Sequence, residues 1–213
     1  MAIIIPAILA ENAEDFTRKL SQLPSGVDMI SIDVMDGTFV PTKSFHDAET
    51  IAMLDTEVFF ELDLMVNSPL PIIEAFANSP QTVRAIVHAE INDDARSILT
   101  AIKNLGLESG IALLPKTDID EYEHLYNVCD VVLIRGNEPG RAGREMLPET
   151  IEKVKNLRSK YPELAISVDI GVNDKTVPAL VDAGATYLCV NSAIFAATNP
   201  AEAYNSLQKL AEK

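Results

Sequence analysis

A chain of 213 residues with 47% hydrophobic content can bury one large core, and with no Trp and 6% aromatics that core must be filled by Ile, Leu, Val and Ala. Asp plus Glu outnumber Lys plus Arg by 32 to 17, and the formal charge of -15 repels nucleic acid and anionic membranes, which excludes both as expected partners. Cys129 and Cys189 lie in or beside apolar runs and read as reduced core thiols of a cytoplasmic protein; no run nears the roughly 20 apolar residues of a membrane span, and no basic region precedes the first apolar run as in a signal peptide.

The first strand is expected over 3–9, with Pro6 marking a bulge or bend. Asn12 caps a helix over 13–23, with Phe16 and Leu20 one turn apart. A strand over 29–34 follows, then a loop over 35–47 carrying Lys43 and His46, and a short helix over 48–54. Residues 58–65 form the third strand, and Ser68-Pro69 opens a helix to about Ala77. The fourth strand covers 85–89; Asn92 or Asp93 caps a helix to Asn104, ended by Gly106. Strand five covers 110–114, stopped by Pro115, and a helix is predicted over 118–126. Strand six, 131–134, runs into Arg135 and a loop over 136–148 with three glycines, Arg141 and Arg144. A helix over 149–161, a strand over 165–170, a helix over 177–183, a strand over 187–190 and a helix over 201–211 complete the chain.

Strand and helix thus alternate through residues 1–213 without a linker, and continuous apolar strands imply burial on both faces. The expectation is one (β/α)8 barrel domain rather than an open doubly wound sheet, and no G-x-G-x-x-G follows the first strand. Alternation in Ile30-Ser31-Ile32-Asp33-Val34 puts Ser31 and Asp33 on one face and the aliphatic residues on the other. Asp33, Asp63 and Asp169 each stand near the end of an apolar run, where a carboxylate is costly to bury, so one shared site is expected at the mouth with Arg135.

The chain resembles the ribulose-phosphate 3-epimerases nearly from end to end. Asp33-Val34-Met35-Asp36-Gly37 with Phe39-Val40-Pro41 is similar to that family's D-V-M-D-G-x-F-V-P, and Pro6-Ala7-Ile8-Leu9 to its P-S-I-L. Further likenesses are Leu64-Met65, Val87-His88-Ala89-Glu90, Asn137-Glu138-Pro139-Gly140, Val168-Asp169 with Gly171-Val172-Asn173, and Asn191-Ser192-Ala193-Ile194-Phe195. The resemblance implies the barrel fold and a metal-assisted proton shuttle in which one Asp works on each face of an enediolate. The two acids fall on Asp33 and Asp169. The family's two metal-ligand histidines fall on Ser31 and Asp63, its first-strand Ser on Ala7, and a Met beneath the enediolate on Arg135, while Met35 and Met65 remain. The substrate phosphate is expected on the backbone of Ala142, Gly143, Arg144, Gly171, Asn191 and Ser192, since amide nests bind phosphate without side-chain charge. Gly143 is expected there because a Cβ would obstruct close approach of the backbone.

A metal site of Ser31, Asp33, Asp63 and Asp169 offers only oxygen, which suits Mg²⁺ or Mn²⁺ better than zinc or iron; the metal is alternatively absent. Clustered carboxylates repel, and Arg135 is the candidate cation among them, either as the electrophile in place of metal or as a structural lock. His88 reads as barrel wall, His46 as an exposed loop residue and His124 as surface. The expected function is an isomerase of the ribulose-phosphate 3-epimerase type, interconverting D-ribulose 5-phosphate and D-xylulose 5-phosphate or a similar phosphoketose, in a cytoplasmic protein that is a possible homo-oligomer. The alternatives are a hexulose-6-phosphate 3-epimerase and a phosphosugar-binding barrel without turnover. The D-x-K-x-x-D of related decarboxylases is absent: Glu61, Asp63 and Val66 stand there without a lysine.

Overall fold

The computed structural model describes residues 1–213. Eight parallel strands, β1 (Ile3–Ile8), β2 (Met29–Met35), β3 (Phe59–Met65), β4 (Thr82–His88), β5 (Glu108–Leu113), β6 (Val131–Arg135), β7 (Ala165–Asp169) and β8 (Tyr187–Val190), close into a barrel in chain order, β8 pairing back onto β1. The ring of helices is α1 (Ala13–Ser21), α2 (Ala48–Ala52), α3 (Leu70–Phe76), α4 (Ala95–Asn104), α5 (Glu149–Lys160), α6 (Val177–Asp182), α7 (Ser192–Phe195) and α8 (Pro200–Ala211). The main core lies between strands and helices, where Ile30, Ile32 and Val34 of β2 pack with their counterparts from the other strands. No helix is long and apolar enough to cross a membrane.

Several local expectations give way to tertiary context. Pro6 makes no bulge: β1 stays in register with β8 from Ile3↔Tyr187 to Pro6↔Val190. The β1–β2 ladder begins only at Ala7↔Ser31, beyond the residue that has no N–H to give. The register shift lies instead between Phe60 and Glu61, on the β3–β4 pair. The helix expected over 118–126 is a single 3-10 turn, Glu123–Leu125. Asp118 Oδ1 accepts the Asp120 backbone N–H at 3.0 Å, a local bond that competes with helix initiation. Asn12 caps α1 as expected, but α4 is capped by Asp94 rather than Asn92 or Asp93, its carboxylate accepting from Ser97 N.

β4 and β5 begin earlier than hydropathy indicates, because their first residues include charge: buried Arg84 in β4 and exposed Glu108 at the start of β5. Arg84 Nη1 reaches Glu61 Oε2 at 2.8 Å, Nη2 reaches Glu108 Oε2 at 2.6 Å, and the guanidinium lies 4.4 Å from the Tyr187 ring centroid. A buried guanidinium is tolerated there because carboxylates and a π-face replace its water.

Candidate active site

The inward face of the barrel is polar at the carboxyl ends of the strands. Period-two alternation turns Ser31, Asp33 and Met35 inward, and the register sets Asp33 beside Asp63, Met35 beside Met65, and Arg135 beside Asp169. Arg135 is 1% exposed, one of the largest fully buried side chains. Its Nη1 donates to Asp169 Oδ2 at 2.5 Å and its Nη2 to Asp63 Oδ1 at 2.5 Å. The same guanidinium meets His88 Nε2, from Nη2 at 3.0 Å and from Nε at 3.3 Å.

Asp33 completes the cluster without joining the ion pairs. Its Oδ1 is buried and has no hydrogen-bond partner. Burial, then repulsion from Asp169 and Asp63, only partly offset by Arg135, holds its carboxyl well above the ordinary range. Burial likewise raises Asp63 to about 6, against the pull of Arg135. One guanidinium therefore stands among three carboxyl groups, and Asp33 is the one left without an ion pair.

The divalent metal that the family resemblance implies does not fit these residues. Ser31 Oγ and Asp33 Oδ1 are buried without partners, but Asp63 and Asp169 each spend an oxygen on Arg135. No group of three or more His, Cys, Asp or Glu is arranged to hold a metal ion. A guanidinium that cannot lose its charge, 2.5 Å from two of the carboxylates, opposes a dication among them.

Asp33, Arg135 and Asp169 open into a cleft whose other walls are Met35 and Met65, the loop at Gly140 to Gly143, the turn at Ile170 to Val172, and Asn191 with Ser192. All the residues expected to hold phosphate line it except Arg144, which turns to Asn137 Oδ1 at 3.4 Å. The Asn191 side chain contributes a buried Nδ2 donor with no protein partner. Ile170 has a φ of 74° and Gly171 of 79°, so two successive residues are left-handed where β7 ends; for a β-branched residue this is a strained conformation. The glycine that crowding requires is Gly171, not Gly143: a Cβ on Gly171 would lie 2.3 Å from Met146 N, whereas one on Gly143 meets open space. Gly143 needs its glycine only for a φ of +77°. Gly171→Ala should therefore weaken phosphoketose binding more than Gly143→Ala in calorimetric titration, and should lower stability by more than the roughly 1–2 kcal/mol that a left-handed alanine costs. Equal effects at the two positions would count against the Met146 contact.

Some expected residues stand apart from the cleft. Ala7 packs deeper, with Ile5 and Cys189, and does not line it. Ser31 and Asp63 are also not among its walls. His46 is half-buried rather than exposed, its Nδ1 2.8 Å from Ser44 O, and His124 is on the surface as expected. His88, read from the sequence as barrel wall, is 0% exposed and faces Arg135 from inside the barrel, a contact that sequence reasoning missed. The available signal was its place near the end of an apolar strand, the same signal that singled out the three acids.

A family model described as the ribulose-phosphate 3 epimerase family matches residues 3–195. The ribulose-phosphate 3-epimerase of Schizosaccharomyces pombe is 33% identical over 212 residues, which cover 97% of this chain and 92% of that protein. The cytoplasmic isoform of Oryza sativa is 32% identical over 218 residues, covering 99% and 95%, and the Bacillus subtilis enzyme 29% over 215 residues, covering 98% and 99%. Among solved structures, 3-hexulose-6-phosphate synthase from Salmonella typhimurium has a TM-score of 0.77 at 15% identity, covering 100% of this chain and 99% of that one. The 3-keto-L-gulonate-6-phosphate decarboxylase from Vibrio cholerae has a TM-score of 0.74 at 13% identity, covering 99% and 97%. At such identities these two structures bear on the fold alone.

Proposed function

The chain belongs to the ribulose-phosphate 3-epimerase family, and from that membership we propose that it inverts C3 of a phosphorylated ketose, with D-ribulose 5-phosphate and D-xylulose 5-phosphate as the expected pair. The observation that carries the mechanism is the asymmetry of the two acids in one cleft: Asp33 without a hydrogen-bond partner and its carboxyl raised by burial, Asp169 ion-paired to Arg135. Proton transfer across the two faces of a planar intermediate needs one acid and one base at the start of the cycle. Asp169 takes the proton from C3, the C–H electron pair moves into the C2–C3 bond, and the C2 carbonyl oxygen takes the negative charge. Asp33 returns its own proton to the opposite face of C3 as the carbonyl re-forms. The cycle ends with the proton on Asp169 and the charge on Asp33, ready for the reverse direction.

Arg135 supplies the positive charge of the site, a fixed cation in a water-poor pocket, which stabilises the enediolate electrostatically. The phosphate sits on the loop amides and the Asn191 donor, away from the acidic surface. The two free, buried thiols, Cys129 and Cys189, fit the reducing cytoplasm.

One observation favours a second reading, a phosphosugar-binding barrel without turnover. The ion pair to Arg135 occupies Asp169 Oδ2 and leaves only Oδ1 free to take a proton. Incubating the protein with each phosphoketose in deuterium oxide separates the two. Interconversion with deuterium entering at C3 is the expected result; tight binding with no exchange, for pentulose and hexulose phosphates alike, would establish the second reading and sink the first.

A further inference from the structure

The guanidinium of Arg135 is itself held from behind. His88 Nε2 lies within hydrogen-bond distance of both Nη2 and Nε of Arg135, at 3.0 and 3.3 Å. On the other edge of the ring, His88 Nδ1 is 3.2 Å from Glu90 Oε2. The second Glu90 oxygen accepts from the Leu114 backbone N–H at 2.8 Å and the Thr117 hydroxyl at 2.5 Å. The Phe39 ring covers the imidazole at a centroid distance of 4.5 Å.

The donor inventory dictates the rest. A guanidinium has five N–H donors and no acceptor, so Nε2 must be the accepting nitrogen and the ring must be neutral with its proton on Nδ1. That tautomer needs an acceptor at Nδ1, and Glu90 provides it. Burial agrees, lowering the His88 pKa to about 4. With His88 engaging the Nε side, the two Nη groups are left to point at Asp63 and Asp169.

We propose that His88 and Glu90 are positioning residues that set the orientation of Arg135, Glu90 by fixing the His88 tautomer and His88 by accepting from the guanidinium. The inference rests on the reading of Arg135 as the cation of the reaction. Without Glu90 the imidazole is free to carry its proton on Nε2, which would place a donor against donors and turn the guanidinium out of register with the acids. A misplacement on the order of 1 Å can cost about 100-fold in rate.

The test combines kinetics with nitrogen-15 spectra of the imidazoles, of which the chain has only 3 to assign. In the unmodified protein His88 should show the Nδ1–H tautomer. In Glu90→Leu that signature should be lost, with kcat reduced by up to about 100-fold and KM little changed. Glu90→Gln keeps one acceptor oxygen where Glu90 uses two, so it should recover only part of both. An Nε2–H tautomer in the unmodified protein overturns the proposal without any variant. So does a folded Glu90→Leu protein with the parent tautomer. If the parent has no turnover, the functional reading fails while the spectra still decide the arrangement.

Discussion

Replacing Asp33 or Asp169 with Asn should each reduce turnover by about 10²–10⁴-fold, the usual contribution of a general acid or base. Each substitution keeps the shape and removes the proton-carrying function. Binding of the phosphoketose should persist, because the residues proposed to hold the phosphate lie on other loops of the cleft. The Asp33 change carries a second expectation that a bystander residue would not meet. In the folded protein the Asp33 carboxyl is raised by burial and by Asp169 and Asp63, so the folded state holds a proton that the unfolded state has released. By linkage, that group's contribution to stability is complete below the unfolded carboxyl value and is lost as pH rises through the folded one. Asp33→Asn should therefore be more stable than the parent at pH 7, with the difference shrinking as pH falls toward 4. Urea unfolding across that range measures the gap. Full activity in either Asn variant would exclude the two-acid mechanism, and a pH-independent gap would show that Asp33 is not held protonated.

Arg135→Met should be the most disruptive single change in the barrel. Removing one partner of a buried ion pair costs about 3–5 kcal/mol, and here two carboxylates lose the same partner. Burial already raises the Asp63 carboxyl to about 6 and without Arg135 it must rise further, so the variant should lose stability as pH increases. The same substitution should reverse the metal behaviour. With the guanidinium gone, the oxygens of Asp33, Asp63, Asp169 and Ser31 become available to a hard dication. Mn²⁺ should raise the melting temperature of Arg135→Met and leave that of the parent unchanged. Arg135→Lys should fall between, keeping charge while losing the two-pronged geometry. If the methionine variant were as stable as the parent without added ion, Arg135 would not be the cation that the carboxylates depend on. Stoichiometric zinc on the parent purified without added metal would show that the site does accept one.

The sequence by itself determined the barrel and the place of its mouth. Buried parallel strands are largely apolar, so their eight repeats are visible as hydropathy, and the alternation in 30–34 already assigns Asp33 and Ser31 to the face opposite the aliphatic residues. The Asn12 cap was readable because its partner lies three residues away. What stayed hidden is polar and long-range. Arg135 finds Asp63, His88 and Asp169 at sequence separations of 72, 47 and 34 residues. The charged starts of β4 and β5 were unreadable for the same reason, since Arg84 is acceptable inside only because closure brings Glu61 and Glu108 to it. The assignment of crowding to Gly171 rather than Gly143 likewise depended on where Met146 lies. Burial of apolar surface is non-directional and leaves a periodic trace along the chain. Compensation of a buried charge is directional and short-ranged, so its partners are set by strand register and barrel closure, which only the tertiary structure decides.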